Sequence, residues 1–268
     1  MKVAVTGATG LVGRFIVAGL ARAGHRVEAL PGWRLGQPAP LEGCDMLVHA
    51  AFSHVPGRYR GGEGDDPAGF VALNRDGSLR LFDEARAQGV GRVVFLSSRA
   101  VYDALPAGTP LPDGTPAAPE SLYGRVKADT EAALAAMSGP GFRTASLRAT
   151  GIYGPGAGHK WRGLFADYLA GRPISPRVAT ELHGDDLAAA VLLLAGQEGA
   201  FNISDLILDR RDLLREVARL TGCAHPLPDH ADPRAVSVMS CERLAALGWR
   251  PRGWDGLVAS LPAMLAPD

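Results

Sequence analysis

The chain has 268 residues and a mass of 28.0 kDa, and 47% of its residues are hydrophobic. It is therefore long enough to bury one large core or two unequal ones. Lys plus Arg and Asp plus Glu number 28 each, which leaves no net charge to hold a nucleic acid or an anionic membrane surface. Three widely spaced cysteines without a C-x-x-C pair argue against a disulfide scaffold or a metal site. We expect a small-molecule partner.

The first residues, MKVAVTG, have the pattern of a strand and are not preceded by a basic segment and an apolar run. This beginning predicts no signal or transit peptide. No apolar run reaches the roughly 18 residues that suggest a membrane-spanning helix. We therefore expect a cytoplasmic protein that does not bind a membrane.

Short apolar runs alternate with segments of helical periodicity along the chain. Such runs are typical of parallel strands joined by crossover helices. The predicted strands are residues 3–5, 27–30, 46–49, 93–96 and 144–147. The predicted helices are residues 11–23, 70–88, 121–136, 185–194 and 212–220. This order predicts an α/β fold with a Rossmann-like, doubly wound parallel sheet.

A glycine-rich turn, TGATGLVG at residues 6–13, joins the first predicted strand to the first helix. Gly7 permits a tight turn, Gly10 lets backbone N–H groups approach a pyrophosphate, and Gly13 allows the helix to pack closely on the strand. The positive end of the helix then meets the phosphates. The turn predicts a dinucleotide site formed by Gly7, Thr9, Gly10, Leu11, Val12 and Gly13.

One crossover is missing from the pattern. Residues 31–43 contain three prolines and three glycines and cannot form a helix of useful length. The strand at 27–30 is therefore predicted to be the edge of the sheet, and the adenine half of a bound dinucleotide to be unusually exposed and weakly held. Thirteen extended residues span up to about 43 Å, enough to cross the first strand and begin the next on its far side.

The end of the second strand bears on the choice of cofactor. An acidic residue there normally holds both ribose hydroxyls of NAD, but the place is taken by Pro31, and Glu28 lies too early. Arg34 lies just beyond the strand, where it can meet a 2′-phosphate. These residues favour NADP and leave NAD open.

Two loops rich in proline and glycine, residues 53–69 and 103–119, are expected to form walls or lids of the ligand site. After residue 155 the pattern becomes less regular. We expect a dinucleotide-binding domain at 1–153 and a smaller substrate-binding lobe at 154–268 that partly returns to the sheet near 183–205.

Tyr123 and Lys127 are four residues apart near the start of a predicted helix and thus share a face. A nearby ammonium stabilises the phenolate and lowers the pKa of a tyrosine from about 10 toward working pH. An oxidation of a hydroxyl to a carbonyl needs such a base. Many Y-x-x-x-K pairs are ordinary surface contacts, so the pair alone leaves both interpretations open.

Taken together, the motifs resemble the extended branch of the short-chain dehydrogenase/reductase superfamily, which contains NAD(P)-dependent epimerases, dehydratases and sugar oxidoreductases. The resemblance covers nearly the whole chain. Its elements are TGATGLVG at 6–13, HAA at 49–51, NRDGSLRLFDEA at 74–85, VVFLSSRAVYD at 93–103, ESLYGRVKADTE at 120–131, LRATGIYGPG at 147–156, HGDDLAAAV at 183–191, FNISD at 201–205 and LGWRPRGWDGL at 247–257.

The resemblance implies roles for individual residues. Tyr123 would be the acid/base, and Lys127 would bind the nicotinamide ribose and tune Tyr123. Ser98 would hydrogen-bond the reacting oxygen and is preferred to Ser97, because the catalytic serine or threonine stands three residues before the valine of the V-Y pair, here Val101. The cofactor would also lie beside Ala50, Ala51 and Asn74, the last being structural or a holder of water in the proton relay.

The substrate is less well defined. Ser98-Arg99-Ala100 stands where the family's dehydratases usually carry Thr-Asp-Glu, so dehydratase chemistry is not expected. Arg99, beside the serine, is suited to hold a carboxylate or phosphate. His183 either touches the substrate or caps a helix. The candidate substrate contacts are Arg99, Lys160, Trp161, Arg162 and His183.

The leading hypothesis is an NAD(P)-dependent oxidoreductase that passes a hydride between nicotinamide and a secondary alcohol or ketone of a sugar-like molecule. The alternatives are a nucleotide-sugar 4-epimerase with tightly bound NAD, a uronate dehydrogenase that uses Arg99 or Arg162, and a catalytically idle dinucleotide sensor. Family members often dimerise through the two helices that correspond to 70–88 and 121–136. We therefore expect a homodimer.

Overall fold

The computed structural model describes residues 1–30, 32–55, 61–156 and 158–266; Pro31 and parts of the predicted loop at 53–69 lie outside them. The strands are β1 Lys2–Thr6, β2 Arg26–Glu28, β3 Met46–His49, β4 Arg92–Ser98, β5 Arg143–Ala149, β6 Gly151–Tyr153, β7 Val178–His183, β8 Gly199–Ile203 and β9 Leu206–Asp209. The helices are α1 Gly13–Arg22, α2 Pro67–Val71, α3 Gly77–Ala87, α4 Leu122–Ala136, α5 Arg162–Leu169, α6 Gly184–Leu193, α7 Arg210–Thr221, α8 Glu242–Ala246 and α9 Gly253–Leu265.

The main sheet has the strand order β2-β1-β3-β4-β5-β8, and all its pairings are parallel. Its central strands are apolar on both faces because alternate side chains enter two cores. Val3, Val5 and Val48 pack on the side of α1 and α6, whereas Ala4 and Leu47 pack on the side of α3. The sheet confirms the predicted α/β, Rossmann-like fold.

The strand-helix unit that the sequence predicts to be missing after β2 is also missing from the described residues of the structure. Residues 29–30 and 32–45 contain no helix or strand, and β2 pairs only with β1 in the described part of the sheet. The linker crosses β1 and begins β3 on its far side, as predicted. Its residues Ala39 and Leu41 are buried in the core beside α3, where Gln88 bonds the backbone of both. The linker thus covers part of the sheet itself.

The helix predicted at 70–88 begins earlier and is interrupted. Asp66 caps α2, accepting a hydrogen bond from the Gly69 N–H at 2.8 Å. A π-helical turn at Ala72–Asp76 then joins α2 to α3. The predicted loop at 53–69 therefore gives way to helix at Pro67. The prediction missed this start because it treated Pro67 as a loop residue, although proline is also favoured in the first turn of a helix.

The segment after β5 forms a second, three-stranded sheet of order β6-β7-β9, in which β7 and β9 are antiparallel. Its apolar core contains Tyr153, Trp161 and Phe165 together with side chains of α7 and α9. The chain returns to the main sheet at β8, within the predicted range 183–205. The domain boundary at residue 153 stays a prediction.

No helix in the described ranges is both long and apolar enough to cross a membrane.

Candidate active site

A cleft of about 1310 Å³ opens where β1, β3, β4 and β5 end. Parallel strands present their carboxyl ends at one edge, which is where ligands bind in open α/β sheets. The cleft brings together most of the predicted site: Gly7, Thr9, Gly10, Leu11, Val12, Gly13, Arg34, Ala50, Ala51, Ser98, Arg99, Tyr123, Lys127 and Lys160.

The glycine turn is closely packed. Gly7 has a φ of +66°, and a Cβ there would lie 2.7 Å from the Ala51 nitrogen. A Cβ on Gly13 would clash with the Gly7 carbonyl oxygen. Helix α1 begins at the cleft without a side-chain cap, and the positive end of its dipole favours an anion there. The bare backbone and helix end fit a dinucleotide pyrophosphate.

Arg34 lies at the same cleft and is exposed. Its backbone N–H donates to the Gln37 side-chain oxygen at 3.2 Å, which holds the local turn. An exposed guanidinium beside the glycine turn is a suitable partner for a phosphate group.

Lys127 is 4% exposed on α4. Its Nζ donates a hydrogen bond to the Leu96 carbonyl at 2.8 Å and lies 4.3 Å from the centroid of the Phe52 ring and 4.7 Å from that of Phe95. Burial lowers the pKa of Lys127 to about 7, and the Glu131 carboxylate opposes this shift. A buried amine at the cleft wall is therefore poised between its charged and neutral forms.

Tyr123 lies one turn before Lys127 on the same face of α4 and is half-buried. Its ring stands edge-on to Phe52, with the ring centroids 5.1 Å apart. Ser121 fixes the start of this helix because its hydroxyl accepts from the Gly124 N–H at 3.0 Å and donates to Asp103 at 2.5 Å. The predicted acid/base pair is thus presented by a capped helix end.

Asn74 bonds the backbone next to Phe52, the residue that packs against Tyr123 and Lys127. It is not among the described residues that line the cleft. Its amide nitrogen donates to the Ser53 carbonyl at 2.8 Å and to the Phe70 carbonyl at 2.9 Å, and its oxygen accepts from the Ser53 N–H at 2.7 Å. These bonds use the amide to fix the backbone next to Phe52. Of the two roles predicted for Asn74, the structural one fits this geometry.

His49 is 1% exposed at the end of β3, and its ring connects this strand to Thr6 and Ser78. Its Nδ1 lies 2.7 Å from the Thr6 hydroxyl and its Nε2 lies 2.9 Å from the Ser78 hydroxyl. Burial lowers the pKa of His49 to about 3, and the charge of Lys127 adds to the shift. A neutral His49 therefore holds Thr6, whose hydroxyl accepts from the Ala51 N–H at 3.2 Å at the cleft wall.

Ser98 ends β4 and is half-buried, whereas Ser97 is only 4% exposed. Both serines line the cleft. The Ser98 hydroxyl oxygen accepts from the Ala100 N–H at 3.1 Å, so its own O–H remains a donor. Arg99 also lines the cleft, but its guanidinium donates to the Ser237 carbonyl at 2.8 Å.

A buried network lies behind α4. Arg148 binds Glu131 through two nitrogens, at 2.9 and 2.7 Å, and donates to the Tyr102 hydroxyl at 2.6 Å. The Tyr102 hydroxyl donates in turn to the Asn202 side-chain oxygen at 2.8 Å. The network holds the Glu131 carboxylate one helical turn beyond Lys127, where it favours the charged amine.

The rest of the cleft wall comes from the segment after β5 and from β7. Lys160 and Glu181 form an ion pair there, and Arg177 lies at the same wall in an exposed position. The Thr150 hydroxyl donates to the Thr180 carbonyl at 2.8 Å.

Three candidate substrate contacts are placed elsewhere. His183 is 1% exposed and caps α6, accepting from the Asp185 N–H at 3.0 Å. Trp161 stacks on Tyr153 in the core, with the ring centroids 4.9 Å apart. Arg162 is exposed at the start of α5. None of the three is among the described residues that line the cleft. The structure therefore favours the capping role of His183.

Sequence reasoning missed Phe52, Glu181 and Arg177. Phe52 directly follows the HAA segment, which was a signal that its side chain would reach the cofactor side of the sheet. Glu181 and Arg177 lie on or beside β7, whose pattern the sequence did not resolve.

Within the described ranges, no group of three or more His, Cys, Asp or Glu residues is arranged to hold a metal.

Comparisons with known proteins show which family and fold the chain resembles. The model of the NAD dependent epimerase/dehydratase family matches residues 3–204. A UDP-glucose 4-epimerase from Corynebacterium glutamicum is 28% identical over 95% of this chain and 92% of its own length. A ceramide reductase from Caulobacter vibrioides is 31% identical over 87% and 72%, respectively. The solved structure of the UDP-glucose 4-epimerase of Thermus thermophilus in complex with NAD is 26% identical, covers 100% of both chains and has a TM-score of 0.75.

Proposed function

Because the chain belongs to the NAD dependent epimerase/dehydratase family of extended short-chain dehydrogenase/reductase enzymes, we propose that it oxidises a secondary alcohol, or reduces the ketone, of a sugar-like small molecule with NAD(P). The observation that carries the proposal is the pair on α4. The buried amine of Lys127 and the half-buried phenol of Tyr123 share one helix face and line the cleft that also contains the glycine turn. This placement supports the assignment of Tyr123 and Lys127 as an acid/base pair beside a dinucleotide site.

The residues of the site supply proton transfer and binding. The Tyr123 phenolate, stabilised by the Lys127 ammonium, takes the proton of the substrate alcohol and becomes the neutral phenol; in the reverse reduction the phenol returns that proton. The Ser98 O–H donates to the reacting oxygen and holds it in place. Phe52 excludes water from one side of the Lys127 amine. The bound nicotinamide supplies the hydride acceptor or donor.

The cofactor would lie along the cleft from the glycine turn to Lys127, beside Ala50 and Ala51. Exposed Arg34 supports NADP over NAD, because a guanidinium binds a 2′-phosphate well. We expect the enzyme to be a cytoplasmic homodimer with a cofactor domain at 1–153 and a substrate lobe at 154–268.

A nucleotide-sugar 4-epimerase is the second candidate, since the C. glutamicum relative that spans nearly the whole chain carries that name. In that case NAD stays bound and is regenerated within each turnover. A uronate dehydrogenase is the third, but its proposed cations fit less well: Arg162 lies off the cleft wall and Arg99 binds the Ser237 carbonyl.

The test is the absorbance of reduced nicotinamide during incubation with each cofactor and with UDP-glucose, UDP-galactose, glucuronate and galacturonate. Net cofactor turnover supports the oxidoreductase. Interconversion of the UDP-sugars without added cofactor, by protein that carries tightly bound NAD, supports the epimerase. Ser98→Ala, Tyr123→Phe and Lys127→Ala should each lower the activity found. If all three keep wild-type rates, the catalytic assignment is wrong.

A further inference from the structure

Lys160 and Glu181 form an ion pair inside the cleft wall, and the functional assignment above does not use it. The Lys160 side chain is 23% exposed and the Glu181 side chain 6%. Both residues line the same cleft as Tyr123 and Lys127. The carboxylate thus lies deep in the wall, and the ammonium lies nearer to the open cleft.

The wall buries both charges of this close ion pair, and their desolvation is costly. Burial lowers the pKa of Lys160 and raises the pKa of Glu181, and in both cases it outweighs the attraction of the partner. A buried ion pair is often no more stabilising than apolar residues of the same size. Stability alone therefore gives no reason for a charged pair at this wall.

The backbone beside the pair is shaped to admit it. A Cβ on Gly151 would lie 2.6 Å from the Lys160 Nζ and 2.8 Å from a Glu181 carboxylate oxygen. Next to it, the hydroxyls of Thr150 and Thr180 hydrogen-bond each other. The wall is therefore a continuous polar surface of donors and acceptors.

We infer that Lys160 and Glu181 form a subsite for neighbouring hydroxyl groups of a neutral carbohydrate part of the substrate. Glu181 accepts a hydrogen bond from one hydroxyl group, and Lys160 donates a hydrogen bond to the oxygen of the adjacent hydroxyl group. This inference rests on the proposed function, because it places the subsite in the same substrate cleft. A hydroxyl suits the pair because it donates and accepts at once.

An anionic group suits this wall less well. Glu181 already neutralises Lys160 and would repel a carboxylate or phosphate brought against it. Arg177 is a further cation among the described residues of this wall, and it is exposed to solvent, where screening weakens its attraction for an anion. The charges of the subsite thus favour a neutral ligand.

The test measures binding, so it does not need turnover. Saturation-transfer NMR, with NADP present, measures the binding of methyl β-D-galactoside, methyl β-D-glucoside and galacturonate. The proteins compared are the wild type, the single variant Glu181→Gln and a double variant that carries both Lys160→Met and Glu181→Met. The double variant replaces the pair by apolar groups and protects the fold. Glu216→Gln is the control, because Glu216 is also paired with a cation, Arg219, but lies on α7 outside the cleft wall.

We expect both cleft variants to bind the neutral glycosides at least about tenfold more weakly, with NADPH affinity and the Glu216→Gln control unchanged. Equal glycoside binding by wild type and variants overturns the inference, as does a wild type that binds neither glycoside. Galacturonate binding that improves in Glu181→Gln and is lost in the double variant also overturns it, since the subsite would then be anionic. Pair-dependent glycoside binding without any redox or epimerase turnover would contradict the proposed function and uphold this inference.

Discussion

At the residue scale, the site depends on one buried amine. Among the described residues, Lys127 donates to the Leu96 carbonyl and faces aromatic rings, of which Phe52 is the nearest. Glu131, held by Arg148, is the carboxylate that favours its charged form. Removing water strengthens the effect of this charge on its neighbour Tyr123.

Tyr123→Phe should lower turnover by at least about 100-fold, because only the proton-transferring hydroxyl is removed. The ring that packs against Phe52 stays, so the fold and cofactor affinity should be nearly unchanged. Steady-state rates and fluorescence titration with NADPH measure the two effects. Near-wild-type turnover on an identified substrate would show that another group moves the proton.

Lys127 should make the stability of the cofactor-free protein depend on pH. Its pKa is about 7 when folded and about 10.4 when unfolded, so the unfolded chain binds more protons between these values. Stability should rise with pH across this window by up to about 1.4 kcal/mol per pH unit from this group. The increment should vanish in Lys127→Met. Urea unfolding of both proteins at several pH values across the window gives the difference, and parallel curves would contradict the buried amine.

Arg34→Ala should weaken NADPH binding by roughly tenfold and leave NADH binding unchanged, because only NADPH carries the 2′-phosphate. Arg26→Ala is the matched control, since Arg26 is an exposed arginine on β2 whose partner is Glu28. Dissociation constants for both cofactors are measured by fluorescence. An equal loss for NADH and NADPH would remove the argument for NADP.

At the scale of elements, the cofactor site depends on how closely α1 approaches the end of β1. Gly7 and Gly13 have no space for a Cβ, since Gly7 meets the backbone of Ala51 and Gly13 meets the Gly7 carbonyl. The first turn of α1 therefore lies against the glycine turn. A side chain at either position would move the helix end away from the pyrophosphate.

Gly13→Ala should thus lower NAD(P)H affinity at least about tenfold and destabilise the protein, because the added methyl meets backbone that cannot move cheaply. Gly163→Ala is the control. A Cβ at Gly163 on α5 meets nothing within 4 Å, so alanine should be neutral or stabilising there. Affinity titration and thermal unfolding compare the two. Unchanged cofactor binding in Gly13→Ala would show that α1 does not hold the phosphates.

At the scale of the whole molecule, the short linker after β2 is the main departure from a full doubly wound sheet. It buries Ala39 and Leu41 against the core beside α3 and leaves β2 as the edge. The adenine half of the cofactor would consequently have less protein around it. We expect weaker cofactor binding than in a protein with the complete strand-helix unit.

The expected homodimer would pair α3 and α4 with their copies. Sedimentation should give twice the monomer mass of 28.0 kDa. Ala132 is exposed on α4, and Ala132→Arg should shift the protein toward monomer by placing a charge in the interface. Asp212→Arg on α7 serves as the control. A monomeric wild type at micromolar concentration would contradict the dimer.

The sequence by itself determined the local chemistry. Short continuous apolar runs identified the central strands, because side chains such as Val3 and Leu47 must be apolar when both faces of a sheet are covered. Helical periodicity identified α4. The glycine turn and the spacing of Tyr123 and Lys127 were also legible, because backbone freedom and helix geometry act over a few residues.

Only the tertiary structure decided which residues share the cleft. Glu181 reaches Lys160 across 21 residues, and Arg148 reaches Glu131 across 17, and no local pattern encodes such contacts. His183 and Arg162 carried plausible chemistry in the sequence, but packing placed one inside the core as a helix cap and the other at an exposed helix start. The pKa of Lys127 is likewise set by burial, which exists only after β4, α4 and the Phe52 segment have come together.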